Sequence, residues 1–439
     1  MTTPAERRPS PAAERVAPSN SEIRRVVWRA LWSSRLLVYV SGLFGILGLG
    51  LASPPDTPTV GTAPFGYLGN FLVGPLARWD SVWYLLIAKT GYGPHLKRTA
   101  FFPLYPMLIR IVGWFVRSDL IAGVLISLVC FVILLVLIYK LTYLELGREV
   151  AEVAVLITAF APVSMFFSAV YTESLFLALV LGAVYCARTG RWALAGVIGA
   201  FAAATRNAGV LLIVPIALMF LYGPRESTAV ALQSVADHGW RRWLPRYRVT
   251  PSLAWVLVVP TGLFAYLAYL WHSTGSPFTT FNVQSLWKRQ TLGPILGIWH
   301  GLEVTWQHFQ FLNGPPPAIT RFTPPVAAGE IQAALAQAGT SLMLLAFFAL
   351  GVVACVGVLR RLPFAYAAYA VLAFLLPLST PIATQPFFSL PRFELVVFPF
   401  FMWGAWYLVR KQIVTIGIGT MAATLGLFSA LFSTWHFVA

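Results

Sequence analysis

Apolar runs of about twenty residues, nearly free of charge, recur along most of this 439-residue chain. One of them, "IAGVLISLVCFVILLVLIY", contains no charged residue at all. A bilayer interior offers backbone N–H and C=O groups no hydrogen-bond partner, so a spanning segment must pair them internally, as a helix or a closed barrel. Barrel strands alternate apolar and polar residues; these runs are continuous. The expected fold class is therefore all-α, a polytopic membrane protein. Charged residues make up only 10% of the chain, against about 25% in soluble domains.

The few charges predict a topology. A formal net charge of +16 in a soluble protein would point to nucleic acid. In a membrane protein it reflects Lys and Arg collecting in cytoplasmic loops, so the expected partner is the lipid bilayer and no nucleic acid. Residues 1–22, rich in Pro, Ala, Ser and Glu, read as a disordered cytoplasmic tail, with no cleavable signal sequence. Arg24, Arg25, Arg29 and Arg35 precede a first span at 36–52 and hold it N-terminus inside. Ten more spans follow at 119–140, 150–168, 174–188, 192–204, 209–222, 252–271, 338–359, 364–379, 394–409 and 412–432, about eleven in all. Residues 192–222 also fit one long tilted helix, but that would place "RRWLPRYR" outside, so two short spans or a helix broken at 206–209 are preferred. The inner loop 223–251 carries Arg225, Arg241, Arg242, Arg246 and Arg248.

The chain thus divides into the tail, a transmembrane module at 23–271 with a first outer loop at 53–118, a large outer loop at 272–337, and C-terminal helices at 338–439. The first outer loop is broken by prolines, and juxtamembrane helices are expected there, with Trp79, Trp83, Tyr84 and Trp114 at headgroup level. Cys130, Cys186 and Cys355 lie in apolar runs and read as packing residues. His95, His272, His300 and His308 fall on the outer side without forming a ligand pattern, and no metal or cofactor is expected.

This topology gathers Asp80, Tyr171, Glu173, Arg206, Asn207 and Arg392 on the outer face. Ionisable groups at the hydrocarbon boundary are costly, and those that persist tend to line cavities. Blander readings exist for several. Arg78 and Lys97 can snorkel to headgroups, Glu173 can pair with Arg206 to hold helices together, and Arg392 can anchor at the interface. Asp80, set in "LARWDSVWYLL", is hardest to explain structurally. A lone carboxylate can take a proton from an alcohol, and arginines can hold a phosphate by paired, charge-assisted bonds. There is no Walker loop and no glycine-rich dinucleotide fingerprint, so an activated donor would be a lipid phosphate and not a nucleotide. Two other classes fit the same cations: a flippase or transporter of a polyprenyl-phosphate sugar, and a noncatalytic subunit docking through Trp287, Trp306, Phe309 and Phe311. The first lacks the internal repeat that many transporters show. The aromatics of the second suit an interfacial belt.

"RWDSVWYLLIAKTGY", "TAFFPLYP", "FFSAVYTESLFL" and "ATRNAGVLL", with "FNVQSLWKRQTLGP" and "SLPRFELVVFPFF" further on, resemble the PIG-V-like glycosyltransferases, which comprise the second mannosyltransferase of GPI-anchor assembly and its bacterial relatives. The blocks span about 71–400. Eukaryotic members tend to carry Ser-Asn-Gly after the arginine, where this chain has Asn207-Ala208-Gly209. The resemblance implies a GT-C type fold, a polyprenyl-phosphate-mannose donor, a glycolipid or glycan acceptor, and inverting transfer at the extracytoplasmic face of the cell membrane. It implies Asp80 as the catalytic residue. Glu173 and Arg206 also fall on its motif positions. With such a donor, the lipid phosphate is expected against Arg206 and Arg392, helped by Lys97, Arg98 or Arg289, and the substrates are expected at Trp79, Tyr84, Tyr105, Tyr171, Glu173, Asn207, Gln284 and Trp287.

Overall fold

A computed structural model describes residues 18–52, 63–93, 95–225, 245–313, 328–436 and 438, without the side chains of 311–313 and 328–334. The fold is all-α; among the described residues the extended pairing is limited to isolated bridges of Arg289 and Gln385 with Ile382. Helix α1 (Asn20–Leu49) is capped by Ser19, whose hydroxyl accepts the Glu22 N–H, and stops at Gly50 with φ 72°. Three short helices follow within 63–118: α2 (Tyr67–Val73), α3 (Ser81–Thr90) and α4 (Leu104–Val116). Then come α5 (Asp119–Leu146), α6 (Arg148–Phe160), α7 (Glu173–Arg188), α8 (Trp192–Thr205), α9 (Ile213–Tyr222) and α10 (Thr261–Thr274). The C-terminal part holds α11 (Thr279–Asn282), α12 (Pro294–Asn313), α13 (Ala328–Arg361), α14 (Phe364–Leu378), α15 (Leu390–Glu394), α16 (Phe398–Lys411) and α17 (Val414–Ser433).

Each expected span overlaps one of these helices, several of them only in part. Among the described residues five stretches are long and apolar enough to cross a membrane: 20–49, 119–146, 251–274, 335–361 and 414–433. Helices α4, α8 and α14 and the stretch 207–222 are apolar but shorter. The core lies where α5, α6 and α7 pack together, with Phe131, Tyr139, Phe167 and Phe176 fully buried. Large apolar side chains such as Phe44, Ile133, Phe264 and Leu350 stand exposed on the outer surfaces of long helices, the pattern expected when lipid is the solvent.

Ion pairs show which helix ends lie together. Arg148 at the start of α6 meets Glu22 at the start of α1, at 2.7 Å. Arg188 at the end of α7 meets Glu145 at the end of α5, also at 2.7 Å, and Tyr366 at the start of α14 donates to the same carboxylate. All these residues sit on the side that the charge rule assigns to the cytoplasm. Residues 192–222 form a hairpin. The Trp192 and Phe220 rings are 4.8 Å apart, and Arg225 lies over both. Helix α8 stops at Thr205, Arg206 is extended, and a 3-10 turn, Asn207–Leu212, folds back before α9. Gly209 permits this, because a Cβ there would stand 2.3 Å from the backbone of Ala202 and Ala203.

Several expectations change. Helix α1 begins at Asn20, not after residue 22, and takes in Arg24, Arg25, Arg29 and Arg35. The expected disordered tail otherwise lies outside the described residues, as do Arg241 and Arg242. Arg35 is buried and makes five hydrogen bonds, to Ser34, to the Ser164 carbonyl and hydroxyl, to Ser168 and to the Ala159 carbonyl, with its guanidinium over the Phe131 ring. Arg78 does not snorkel: it is buried, donates to the Ser433 carbonyl at 2.9 Å and covers Trp435. Trp83 and Tyr84 are buried in protein instead of facing headgroups, whereas Trp114 is exposed. The stretch 272–337, expected as a large loop, is partly helical among its described residues, and α12 packs on α13 and α14.

Candidate active site

Four segments distant in sequence build one polar cluster. The first is the approach to α3. Trp79 has φ 52°, a left-handed conformation that is an outlier for a bulky residue. Such strain persists only where the surroundings enforce it. Here the Val170 N–H donates to the Leu76 carbonyl at 2.9 Å, and the Asp80 N–H donates to the Tyr171 hydroxyl at 3.1 Å. The turn places Asp80 at the N-cap position of α3, yet its carboxylate makes no capping bond. It is left free to face across the cluster.

The second segment is "VYTES", which ends in Glu173 at the start of α7. Its side chain is fully buried and accepts from Arg206 at 2.9 Å and from Arg392. Arg206, at the break after α8, is the third contribution. The fourth is the short helix α15, which carries Arg392 between Glu173 and Asp80 and over the Tyr171 ring. The four charges therefore run in a line, Arg206, Glu173, Arg392, Asp80. Asp80 is its most open member: the side chains of the two arginines and Glu173 are 13% exposed or less, and that of Asp80 is 31% exposed. Burial works against the Arg392 charge, but Glu173 and then Asp80 outweigh it and hold the guanidinium protonated well above its ordinary range.

Arg289 completes the cluster. Its loop lies along 379–385, with the Gln290 N–H on the Pro381 carbonyl and the Arg289 guanidinium donating to the Thr380 carbonyl at 3.0 Å. The Phe393 ring lies against both Arg289 and Arg206, at 5.8 and 5.3 Å. Burial, opposed by Asp80 and aided by Arg392 and Arg206, pushes Arg289 down to about 10; it stays charged at neutral pH. Among the described residues it has no carboxylate partner. Among the described residues of the cluster, two carboxylates face three guanidiniums, an excess of one positive charge.

Beside the cluster stands an aromatic wall. Trp287 lies 5.4 Å from Trp83 and 5.9 Å from Phe101, and Lys97 sits 6.0 Å above the Trp287 ring. Tyr84 packs against Phe101 and Tyr171. Trp287 thus belongs to this wall, while Trp306 and Phe309 stack on each other in the open. Gln284 bonds its own turn through the Thr280 carbonyl, and Asn207 is exposed. Two candidates are placed otherwise than expected. Tyr105 is fully buried, with its hydroxyl on Gly123 and Ser127, and packs beneath Tyr84 as core. Arg98 is buried and tied to Thr90 and Gly91, pinning its own loop. Sequence reasoning missed the doubly paired role of Arg392 and the strained Trp79. Among the described residues no three His, Cys, Asp or Glu gather to hold a metal.

Residues 56–222 match the family described as Mannosyltransferase (PIG-V). This interval contains Asp80, Tyr171, Glu173 and Arg206. The chain is 30% identical to GPI alpha-1,6-mannosyltransferase 2 of Mus musculus over 231 residues, 49% of this chain and 44% of that protein. The same enzyme of Rattus norvegicus is 29% identical over 172 residues, 36% of this chain and 34% of the relative. The chain thus spans less than half the length of the curated relatives it matches. Among solved structures, the Archaeoglobus fulgidus oligosaccharyltransferase aligns over 93% of this chain and 55% of that one, at 12% identity and a TM-score of 0.42. Over residues 56–222 the chain is therefore similar to the mannosyltransferase (PIG-V) family.

Proposed function

We propose that this protein transfers mannose from a polyprenyl-phosphate-mannose donor to a hydroxyl of a lipid-linked or glycan acceptor, with inversion. The observation that carries the reading is the line of charges ending in the partly open Asp80, with a third guanidinium, Arg289, left without a carboxylate. A site with one positive charge in excess at a membrane boundary suits a lipid phosphate. The donor phosphate takes the place of the Asp80 carboxylate on Arg392 and is shared with Arg289, while Lys97 above Trp287 lies nearby. Arg206 and Glu173 keep Arg392 in place from behind.

Freed from Arg392, Asp80 accepts the proton of the acceptor hydroxyl. That oxygen bonds to the anomeric carbon from the face opposite the phosphate. The bond from the anomeric carbon to the phosphate oxygen breaks, and its electron pair leaves with the phosphate. One carboxylate suffices, because a phosphate leaving group needs little protonation at neutral pH. Trp79, Tyr84, Tyr171 and Trp287, with Gln284 and Asn207, bound the sugar and acceptor. The N-terminus lies in the cytoplasm and the cluster on the extracytoplasmic side of the cell membrane, following the positive-inside rule.

The test is incubation of the purified protein with a panel of polyprenyl-phosphate sugars, with and without membrane glycolipid acceptors. Transfer from the mannose donor, with the opposite anomeric configuration in the product, is the expected result. Vectorial movement of the donor across sealed proteoliposomes without any transfer would replace this reading with a flippase.

A further inference from the structure

At the opposite end of the molecule from Asp80, the start of α1 and the last third of α5 enclose a groove of about 710 Å³. Its floor is apolar: Ile23 and Val27 from α1, Val132 and Val136 from α5. Its rim is cationic, with Arg24 and Arg25 on one side and Lys140 on the other. Among the described residues none of these three is in an ion pair. The nearby acids are engaged elsewhere, Glu22 by Arg148 and Tyr139, and Glu145 by Arg188 and Tyr366. Helix α5 begins on the Asp80 side, and at about 1.5 Å per residue Lys140 lies roughly 30 Å along it, close to one hydrocarbon thickness.

The depth of the groove is marked by Trp28 and Trp32. Both are more than half exposed, stacked edge to face at 5.7 Å, and follow Arg24 at helical spacing on α1. Exposed tryptophans collect at the membrane–water interface. We infer that this groove binds an anionic phospholipid, whose phosphate meets Arg24, Arg25 and Lys140 while an acyl chain lies along Ile23, Val27, Val132 and Val136. The charge complementarity selects this occupant. Residues 1–17 carry Arg7, Arg8 and Arg15 against Glu6 and Glu14, so the chain's own N-terminal segment brings no net negative charge to the rim. Basic pockets between transmembrane helices recognise anionic headgroups by the same physics.

The test is photocrosslinking of the purified full chain, in nanodiscs, with photoactivatable phosphatidylglycerol and phosphatidylcholine of equal chain length. The anionic probe is expected to label peptides covering 20–28 and 132–140, and unlabelled phosphatidylglycerol to compete. The R24Q/R25Q/K140Q variant should bind phosphatidylglycerol about 100-fold more weakly by native mass spectrometry. An R360Q/R361Q control at another basic helix end should retain it. Equal labelling by both probes, labelling spread over all lipid-facing helices, or unchanged retention by the triple variant would overturn the assignment. The wild-type crosslinking stands even if the triple variant fails to fold.

Discussion

Arg392 and Asp80 are 312 residues apart in the chain and meet in an ion pair at the open end of a buried line of charges. The same guanidinium holds Glu173 through its other edge. One arginine therefore links the turn before α3 to the start of α7, and of its two carboxylate partners Asp80 is the more exposed.

Asp80→Asn keeps the shape of the site and removes the base. Transfer is expected to fall by about 10²- to 10⁴-fold, with donor affinity unchanged or stronger, since Arg392 no longer has a competing carboxylate. Turnover and donor titration with polyprenyl-phosphate mannose check this. Turnover close to wild type would remove Asp80 from the mechanism.

Arg289→Gln removes the guanidinium that has no carboxylate partner. The expected effect is a donor KM about tenfold higher or more, from loss of a charge-assisted bond of about 1.5–3 kcal/mol, with little change in thermal stability. Steady-state kinetics over a range of donor concentrations and a melting curve in detergent separate the two. An unchanged KM would take Arg289 out of the phosphate site.

Glu173→Gln leaves two neighbouring guanidiniums without their buried counterion. Breaking a buried charge network this way costs about 3–5 kcal/mol. The Tm in detergent should drop clearly, and adding Arg206→Gln should restore part of the loss, since residues of one network are not additive. A double variant at the sum of the single losses would show that the pair is not coupled.

Arg35→Lys tests a cation held without any acid. A lysine offers three donors where the arginine makes five hydrogen bonds to carbonyl and hydroxyl oxygens. The loss is expected to be on the order of 3 kcal/mol, read as a lower Tm without a change in donor KM. A Lys variant as stable as wild type would mean that the guanidinium fork is not needed.

Gly209→Ala drives a methyl group into the backbone of Ala202 and Ala203. Overpacking of this kind costs about 1–3 kcal/mol and shifts the turn that carries Arg206. Transfer activity should fall together with stability. A variant with wild-type Tm and activity would show that the turn relaxes without effect.

The fold class was legible in the chain because the bilayer demands long apolar helices, and composition records that demand directly. Charge placement also predicted correctly that 192–222 doubles back, because the alternative would have put an arginine-rich loop on the wrong side. Asp80, Glu173, Arg206 and Arg392 could be named from their cost at the hydrocarbon boundary. How they pair could not. Pairing depends on where the short helix α15 sets Arg392 and on the strained turn at Trp79, and neither leaves a periodic trace in the residues. For the same reason Tyr105 and Arg98 looked like site residues in the sequence and proved to be core and loop staple. An aromatic ring or a guanidinium looks the same in a linear chain whether its partner is a substrate or a backbone carbonyl; only packing in three dimensions tells them apart.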